Sequence, residues 1–378
     1  MIRIKDGKKL LLFAVITTEV LVILFLFSNY FEFFAYRLGI GYLIKTNLET
    51  DNATPRYLPE FLIPSNDSVL EKELKPNFSQ LFDGYTVRFP NVVNVTINSD
   101  GFRGKDYSLE KPNNTIRILV LGDSVAFGWG VNDNETFPVF LEKMLNKDSQ
   151  KKYEVLNLAV PGYNTKQEVE MLKTKGLKYS PDLIIIAYHR NDILNNTEEE
   201  EMADFYYQKI SANATEAYND IPEGFVDLRE KYLQIISKNS TISDFDKHML
   251  GGWWADIIIN DRTLDDYDKS RWNTIYIPWR DLYNLTKQRG LKVIIFTGIE
   301  MFQDDYHRKV MERIQSFFQD KVLPNKSGWY LIDFQPTVMK YPREELVVEP
   351  REGHPNPFGH ELMAKEIYSF IKEKSLAE

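Results

Sequence analysis

From residue 115 onward the hydrophobic positions switch between two periods. Short apolar runs bounded by turn residues read as strands buried on both faces: TIRILVLG (115–122), YEVLNLAV (153–160), PDLIIIAYH (181–189), LKVIIFTGI (291–299) and WYLIDF (329–334). Between them apolar residues recur at helical spacing. Phe137, Phe140, Leu141, Met144 and Leu145 predict a helix over 136–147 with Thr136 as its cap. Further helices are predicted at 166–177, at 304–320 and at 357–374, the last with Met363, Ile367, Phe370 and Ile371 on one stripe. Strands alternating with helices imply βαβ units with right-handed crossovers. The expected class is therefore α/β, with a five-stranded parallel sheet of order 2-1-3-4-5.

Two stretches break the alternation. Residues 190–290 are too long for one crossover. With EEEEM (198–202) and Trp253, Trp254, Trp272 and Trp279, they are expected to form an inserted, mainly helical cap, the insertion proper spanning about 195–275. Residues 38–84 have no sustained period and are expected to be a juxtamembrane stalk or cap. YTVRFPNVVNVTI (85–97) is β-branched and partly alternating, so it reads as strand, and NSDGFRG (98–104) is rich in turn residues.

The N-terminus changes the compartment. Residues 10–27, LLLFAVITTEVLVILFLF, hold one charge, Glu19, in 18 residues, which is long enough to span a bilayer. An acidic residue there costs roughly 2.5–3.5 kcal/mol, which the surrounding aliphatic residues offset. Arg3, Lys5, Lys8 and Lys9 precede the run, so the positive-inside rule leaves the N-terminus in the cytoplasm. Tyr30, Phe31, Phe33, Phe34 and Tyr36 suit the membrane–water interface. A cleaved signal peptide is the alternative, but no small-x-small site follows the run. The expected organisation is a cytoplasmic tail (1–9), a transmembrane anchor (10–29), a stalk or lead-in (30–114) and an extracytoplasmic α/β domain (115–378).

Composition narrows the function classes. A net charge of −9 argues against a nucleic-acid partner. The absence of cysteine excludes disulfides, thiolate metal sites and cysteine nucleophiles. Asn-x-Ser/Thr sequons begin at Asn52, Asn66, Asn77, Asn94, Asn113, Asn134, Asn195, Asn213, Asn239, Asn284 and Asn325. Chance would give about 2.5 for this content of Asn, Ser and Thr, so an N-glycosylated outer surface is expected.

Four short segments follow predicted strands, where open α/β sheets place their ligands. GDSVAFGWG (122–130) puts Ser124 at a strand-to-helix turn, near unpaired backbone N–H groups. A helix cap is the bland reading of that serine. NLAVPGYNT (157–165) carries Gly162, whose N–H can approach a developing oxyanion, although a plain Pro-Gly turn would look the same. HRND (189–192) offers the Asn191 amide to the same oxyanion, or is only a turn. GHPNPFGH (353–360) supplies His354 as a candidate general base; Pro357 suits a first helical turn, and His360 reads as structural.

In this order and spacing, GDS with GWGV (128–131), NLAVPGYNT, HRND and HPNPFGH resemble the SGNH hydrolase family, the GDSL esterases. The resemblance covers about residues 115–375, interrupted by the insertion, and NSDGFRG resembles the lead-in of membrane-anchored members. It implies a flavodoxin-like three-layer α/β/α sandwich and serine acyl transfer without metal or cofactor. Ser124 would be the nucleophile and His354 its base. The Ser124 N–H, the Gly162 N–H and the Asn191 side chain would form the oxyanion hole. Two positions depart from the pattern. Arg351 stands where the family places the triad aspartate, which leaves Glu352 as the nearest acid and Glu349 as another candidate. His189 stands where the third motif usually begins with glycine. The implied function is hydrolysis of an acyl or acetyl ester on a surface glycan or lipid. O-acyl transfer through the same acyl-serine and a non-catalytic glycan-binding role are the alternatives. The partners expected are a small-molecule or glycan ester and the membrane; the oligomeric state is left open.

Overall fold

Aliphatic and β-branched runs form the strands of this protein. The computed structural model describes residues 59–84, 88–147, 149–193, 209–210, 212–219, 272–301, 303, 305–324, 326–349 and 353–377. Its strands are β1 (Leu62–Pro64), β2 (Lys72–Leu74), β3 (Phe78–Gly84), β4 (Arg88–Ile97), β5 (Thr115–Gly122), β6 (Lys152–Asn157), β7 (Leu183–Ala187), β8 (Lys292–Thr297) and β9 (Trp329–Asp333). The helices that matter here are α1 (Ser124–Phe127), α2 (Phe137–Asn146), α3 (Thr165–Thr174), α4 (Trp272–Lys287), α5 (Asp305–Phe317) and α6 (Pro357–Glu373).

β5 to β9 form one parallel sheet in the order β6-β5-β7-β8-β9, which is the expected 2-1-3-4-5. β5 is buried at every position and β7 likewise, as two-sided strands must be when helices cover both faces. α2 packs against α6, and α3 packs against α4, giving a helical layer on each side of the sheet. Local chemistry sets where the helices start. Pro138 stands at the start of α2. Asn164 and Gln167 make a reciprocal capping box at α3, with both hydrogen bonds at 3.1 Å. The Asn356 side chain accepts from Gly359 N–H at 3.0 Å ahead of Pro357 in α6.

The stretch 38–84, expected to be a juxtamembrane stalk or cap, is folded in its described part. β1 and β2 pair antiparallel, as do β3 and β4. Phe61, Leu70, Leu74, Val93, Val95 and Ile97 are buried in the same apolar cluster as the sheet. Strands of three residues leave almost no periodicity to read, which is why the sequence did not reveal β1 and β2. Within the expected cap, α4 is described and buries Trp279. Trp253, Trp254 and most of the insertion lie outside the described residues. So does the apolar run 10–27; among the described residues no helix is long and apolar enough to cross a membrane.

A buried ion pair lies at the start of the sheet. Arg117, fully buried on β5, pairs with Glu154 of β6 at 2.8 Å. Its remaining donors reach the carbonyls of Leu109 (3.0 Å), Tyr179 (2.9 Å) and Ser108. The guanidinium therefore ties the segment before β5 to the bottom of the sheet. Losing one member of such a pair leaves the other groups dry and unpaired. Arg117→Met should lower stability by about 3–5 kcal/mol in urea unfolding, with turnover per folded molecule unchanged. A loss under about 1 kcal/mol would contradict this reading of the fold.

Candidate active site

β5 ends at Gly122, and the chain turns directly into the single-turn helix α1. Asp123 is its N-cap: its side chain accepts from Val125 N–H at 2.8 Å, which leaves Ser124 as the first helical residue. α1 stops at Gly128, which is left-handed at φ 88°. A Cβ there would lie 2.5 Å from Thr136 Cγ2, so no side chain fits. Ser124 is half-buried while Val125, Ala126 and Phe127 are buried. The hydroxyl is thus left at the end of the sheet on a turn anchored by its neighbours.

His354 arrives from the loop ahead of α6. Val348 N–H donates to His354 C=O at 3.0 Å, and Asn356 N–H donates to Leu346 C=O at 2.8 Å. A bridge between Val347 and Pro355 completes this short β-like contact. The result is a His354 Nε2 to Ser124 Oγ distance of 2.8 Å. That is within reach for proton transfer between a hydroxyl and a base. The Trp129 ring lies 6.0 Å from the His354 ring, and Phe82 packs edge-on against Trp129 at 5.0 Å.

The other histidine of this motif does not compete. His360 is fully buried on α6, and its Nδ1 accepts from Phe137 N–H at 3.3 Å. Burial, then the nearby charge of Arg103 and His354, draws its pKa down to about 3. It is a neutral packing residue, as the sequence suggested.

Backbone register brings the two remaining segments to the same place. After β6 the chain keeps bonding along β5: Leu158 N–H donates to Val120 C=O at 2.9 Å and Val160 N–H to Gly122 C=O at 3.1 Å. Gly162, two residues on, stands in the turn at φ 72°, a conformation that favours glycine. On the other side Gly122 pairs with Ala187 of β7, and Asn191 follows in the 3₁₀ turn Arg190–Ile193. The side chain of Asn191 lies outside the described residues, and so does Glu352. Glu349 is half-buried on the segment that pairs with the His354 loop.

Below the serine lies a group of acids that sequence reasoning did not assemble. Asp123, Glu168 and Asp192 are buried to 2% exposure or less. One Asp123 oxygen stands 3.5 Å from His189 Nδ1, and Asp192 accepts from His189 N–H at 2.9 Å. His189, at the position where the motif departs from glycine, therefore stands between the acids of the first and third segments. Burial first, and Asp123 next, push the Glu168 carboxyl well above its ordinary value of 4.5. Burial, then Glu168 and Asp123, do the same to Asp192. The signal available in the sequence was Glu168 itself, a charge on the stripe of α3 that also holds Thr165, Val169 and Leu172.

Arg103, from the NSDGFRG turn, reaches the far end of α1. Its guanidinium donates to Gly128 C=O at 2.7 Å and to Val131 C=O at 2.7 Å. Burial draws its pKa down to about 10 against the pull of Asp133, so it stays charged at neutral pH.

Residues 120–250 match the GDSL-like lipase/acylhydrolase family, a stretch holding Ser124, Gly162 and Asn191 but ending before His354. A comparison with curated protein sequences finds no match. Among solved structures, the psychrotrophic esterase EstA from Pseudoalteromonas sp. is similar at 13% identity over 70% of this chain and 99% of that one, with a TM-score of 0.39. A lipase/acylhydrolase from Enterococcus faecalis is 15% identical over 68% and 96%, with a TM-score of 0.37. An acetylxylan esterase from Geobacillus stearothermophilus is 13% identical over 68% and 93%, with a TM-score of 0.38. At TM-scores below 0.5 these likenesses carry no weight for function.

The acid cluster makes a pH-dependent prediction. A carboxyl whose pKa is raised on folding holds a proton that the unfolded chain has released. Stability from that group is present below the ordinary value of 4.5 and is lost as pH climbs towards the folded value. Glu168→Gln keeps the shape and removes the titration. Its stability relative to the parent should rise in urea unfolding as the pH climbs above about 5. A difference that stays constant as the pH climbs would contradict the raised Glu168 pKa.

Proposed function

We propose that this chain is a serine esterase that hydrolyses an acyl or acetyl ester through an acyl-serine intermediate. The observation that carries the reading is the 2.8 Å contact between Ser124 Oγ and His354 Nε2 at the carboxyl ends of parallel strands. His354 takes the serine proton as Ser124 Oγ attacks the ester carbonyl. The carbonyl oxygen gains charge and is held by the Ser124 N–H, the Gly162 N–H and the Asn191 side chain. His354 then protonates the departing alcohol. Water, activated by the same imidazole, attacks the acyl-serine and releases the acid. Glu352 is the proposed partner of the other His354 nitrogen. The GDSL-like match over 120–250 supports acylhydrolase chemistry and leaves the acyl group and the alcohol open.

The proposed location is the outer face of a membrane, with residues 10–29 as anchor and the catalytic domain extracytoplasmic. A surface glycan or lipid ester is then the substrate within reach. All the sequon asparagines among the described residues, from Asn66 to Asn284, are exposed, which supports a glycosylated surface. Asn134, close to the first motif in sequence, is exposed as well.

The test uses the full-length protein in detergent, assayed on p-nitrophenyl esters of rising chain length. Ser124→Ala and His354→Ala should each lower kcat/KM by at least about 10³-fold. Asn191→Ala should lower kcat by about 10²–10³-fold with little change in KM. Wild-type rates in Ser124→Ala would overturn the proposal. Transfer of the acyl group to an added sugar, in place of its release as acid, would redirect it to acyl transfer.

A further inference from the structure

A four-residue helix cannot hold itself together, because it leaves most of its backbone groups without helical partners. α1 carries the proposed nucleophile, so whatever satisfies its carbonyls sets where Ser124 points. The donors can be named one by one. Ser124 C=O accepts from Gly128 N–H (3.1 Å) and Trp129 N–H (3.0 Å), and Val125 C=O from Gly128 N–H (3.2 Å). Ala126 C=O accepts from Asn157 Nδ2 at 2.9 Å. Phe127 C=O accepts from the Arg103 guanidinium at 3.2 Å, and Gly128 C=O from the same nitrogen at 2.7 Å. The other terminal nitrogen of Arg103 reaches Val131 C=O at 2.7 Å and Asn94 C=O at 3.4 Å. Nε donates to Asp133 Oδ1 at 3.2 Å, and the guanidinium lies 4.4 Å from the centre of the Phe127 ring.

Arg103 is itself fixed from outside the loop it serves. Its backbone bridges Ile97 of β4 to Asn157 at the end of β6, its own N–H donating to Asn157 C=O at 3.2 Å. β4 meets the same loop directly, with Asn94 N–H on Asn132 Oδ1 at 2.9 Å and Thr96 N–H on Asp133 Oδ1 at 3.0 Å. One buried cation thus joins the lead-in hairpin, the edge of the sheet and residues 127–133. Only a planar fork of several donors can serve carbonyls this far apart; a lysine carries a single point of charge.

We propose that Arg103 is a positioning residue for the nucleophile: it holds the carbonyl end of α1 and thereby keeps Ser124 Oγ aimed at His354. This rests on Ser124 being the nucleophile. It also assigns the NSDGFRG segment, which precedes the sheet, a part in the active site.

The experiment compares full-length wild type, Arg103→Lys and Asp133→Asn in detergent. Each is read by thermal melting, by ester kinetics, by the rate of inactivation with a fluorophosphonate, and by hydrogen exchange over residues 122–131. Lysine keeps the charge and loses the fork. Arg103→Lys should lower kcat and the fluorophosphonate rate together by about 10–100-fold, as misplacement of a reacting group does, with KM within about twofold. Amides of 122–131 should exchange at least about tenfold faster while those of β7 and β8 are unchanged. If Arg103→Lys does not fold, Asp133→Asn leaves the arginine in place without its orienting carboxylate, and should shift the same readouts in the same direction. A folded Arg103→Lys, or in its stead a folded Asp133→Asn, with a lower melting temperature but unchanged kcat and unchanged exchange would overturn the proposal. If wild type reacts with neither ester nor fluorophosphonate, the esterase reading fails. Local exchange over 122–131 then decides whether Arg103 holds the loop.

Discussion

Everything at the candidate site depends on β5 being hydrogen-bonded in register on both sides. Val120 pairs with Asn157 of β6, and Gly122 pairs with Ala187 of β7. Parallel strands run in one direction, so the three chains leave the sheet side by side and at the same height. Ser124, Gly162 and Asn191 belong to the first turns after those three strands. No long-range loop has to fold correctly to gather them. His354 is the exception, and it is held by its own short pairing with residues 346–348 and by the capped start of α6.

The electrostatics around this point are layered. The serine sits between a buried cation on one side and buried acids on the other. Arg103 satisfies carbonyls at the end of α1, and Asp123 satisfies an N–H at its start. Charges so placed match the polarity of the helix ends, although a helix of one turn gains little from that alone. Their larger effect is geometric, since each leaves a buried backbone group partnered. His189 lies 3.5 Å from Asp123 and donates its N–H to Asp192, so the nucleophile turn and the third segment meet at this residue. That gives the departure from glycine at position 189 a structural use.

The sheet was legible because strands buried on both faces read as unbroken apolar runs, and the helices because their stripes repeat. Boundaries were off for a physical reason. The apolar run after β6 continues to Val160 because Leu158, Ala159 and Val160 stay buried and keep bonding along β5 beyond the strand proper. Ser124 and His354 were legible through motif order, and the structure places them in contact. Arg103 was not. It lies in a turn-rich segment, and nothing in local spacing says that a charge there will be buried against carbonyls some 25 residues away. Glu168 was half-legible, as a charge on an apolar stripe. β1 and β2 were not, since strands of three residues carry no period and acquire their burial from partners distant in sequence.

In the proposed mechanism three backbone segments and one imidazole converge on a single reacting carbonyl. The most direct measurement is a crystal structure of the protein after reaction with a small alkyl phosphonate, which mimics the tetrahedral intermediate. Phosphorus should be bonded to Ser124 Oγ, with one phosphoryl oxygen about 2.7–3.1 Å from Ser124 N, Gly162 N and Asn191 Nδ2. His354 Nε2 should lie within hydrogen-bond reach of Ser124 Oγ or of the alkoxy oxygen. A phosphonate on any other residue, or a phosphoryl oxygen facing solvent with Gly162 and Asn191 turned away, would contradict it.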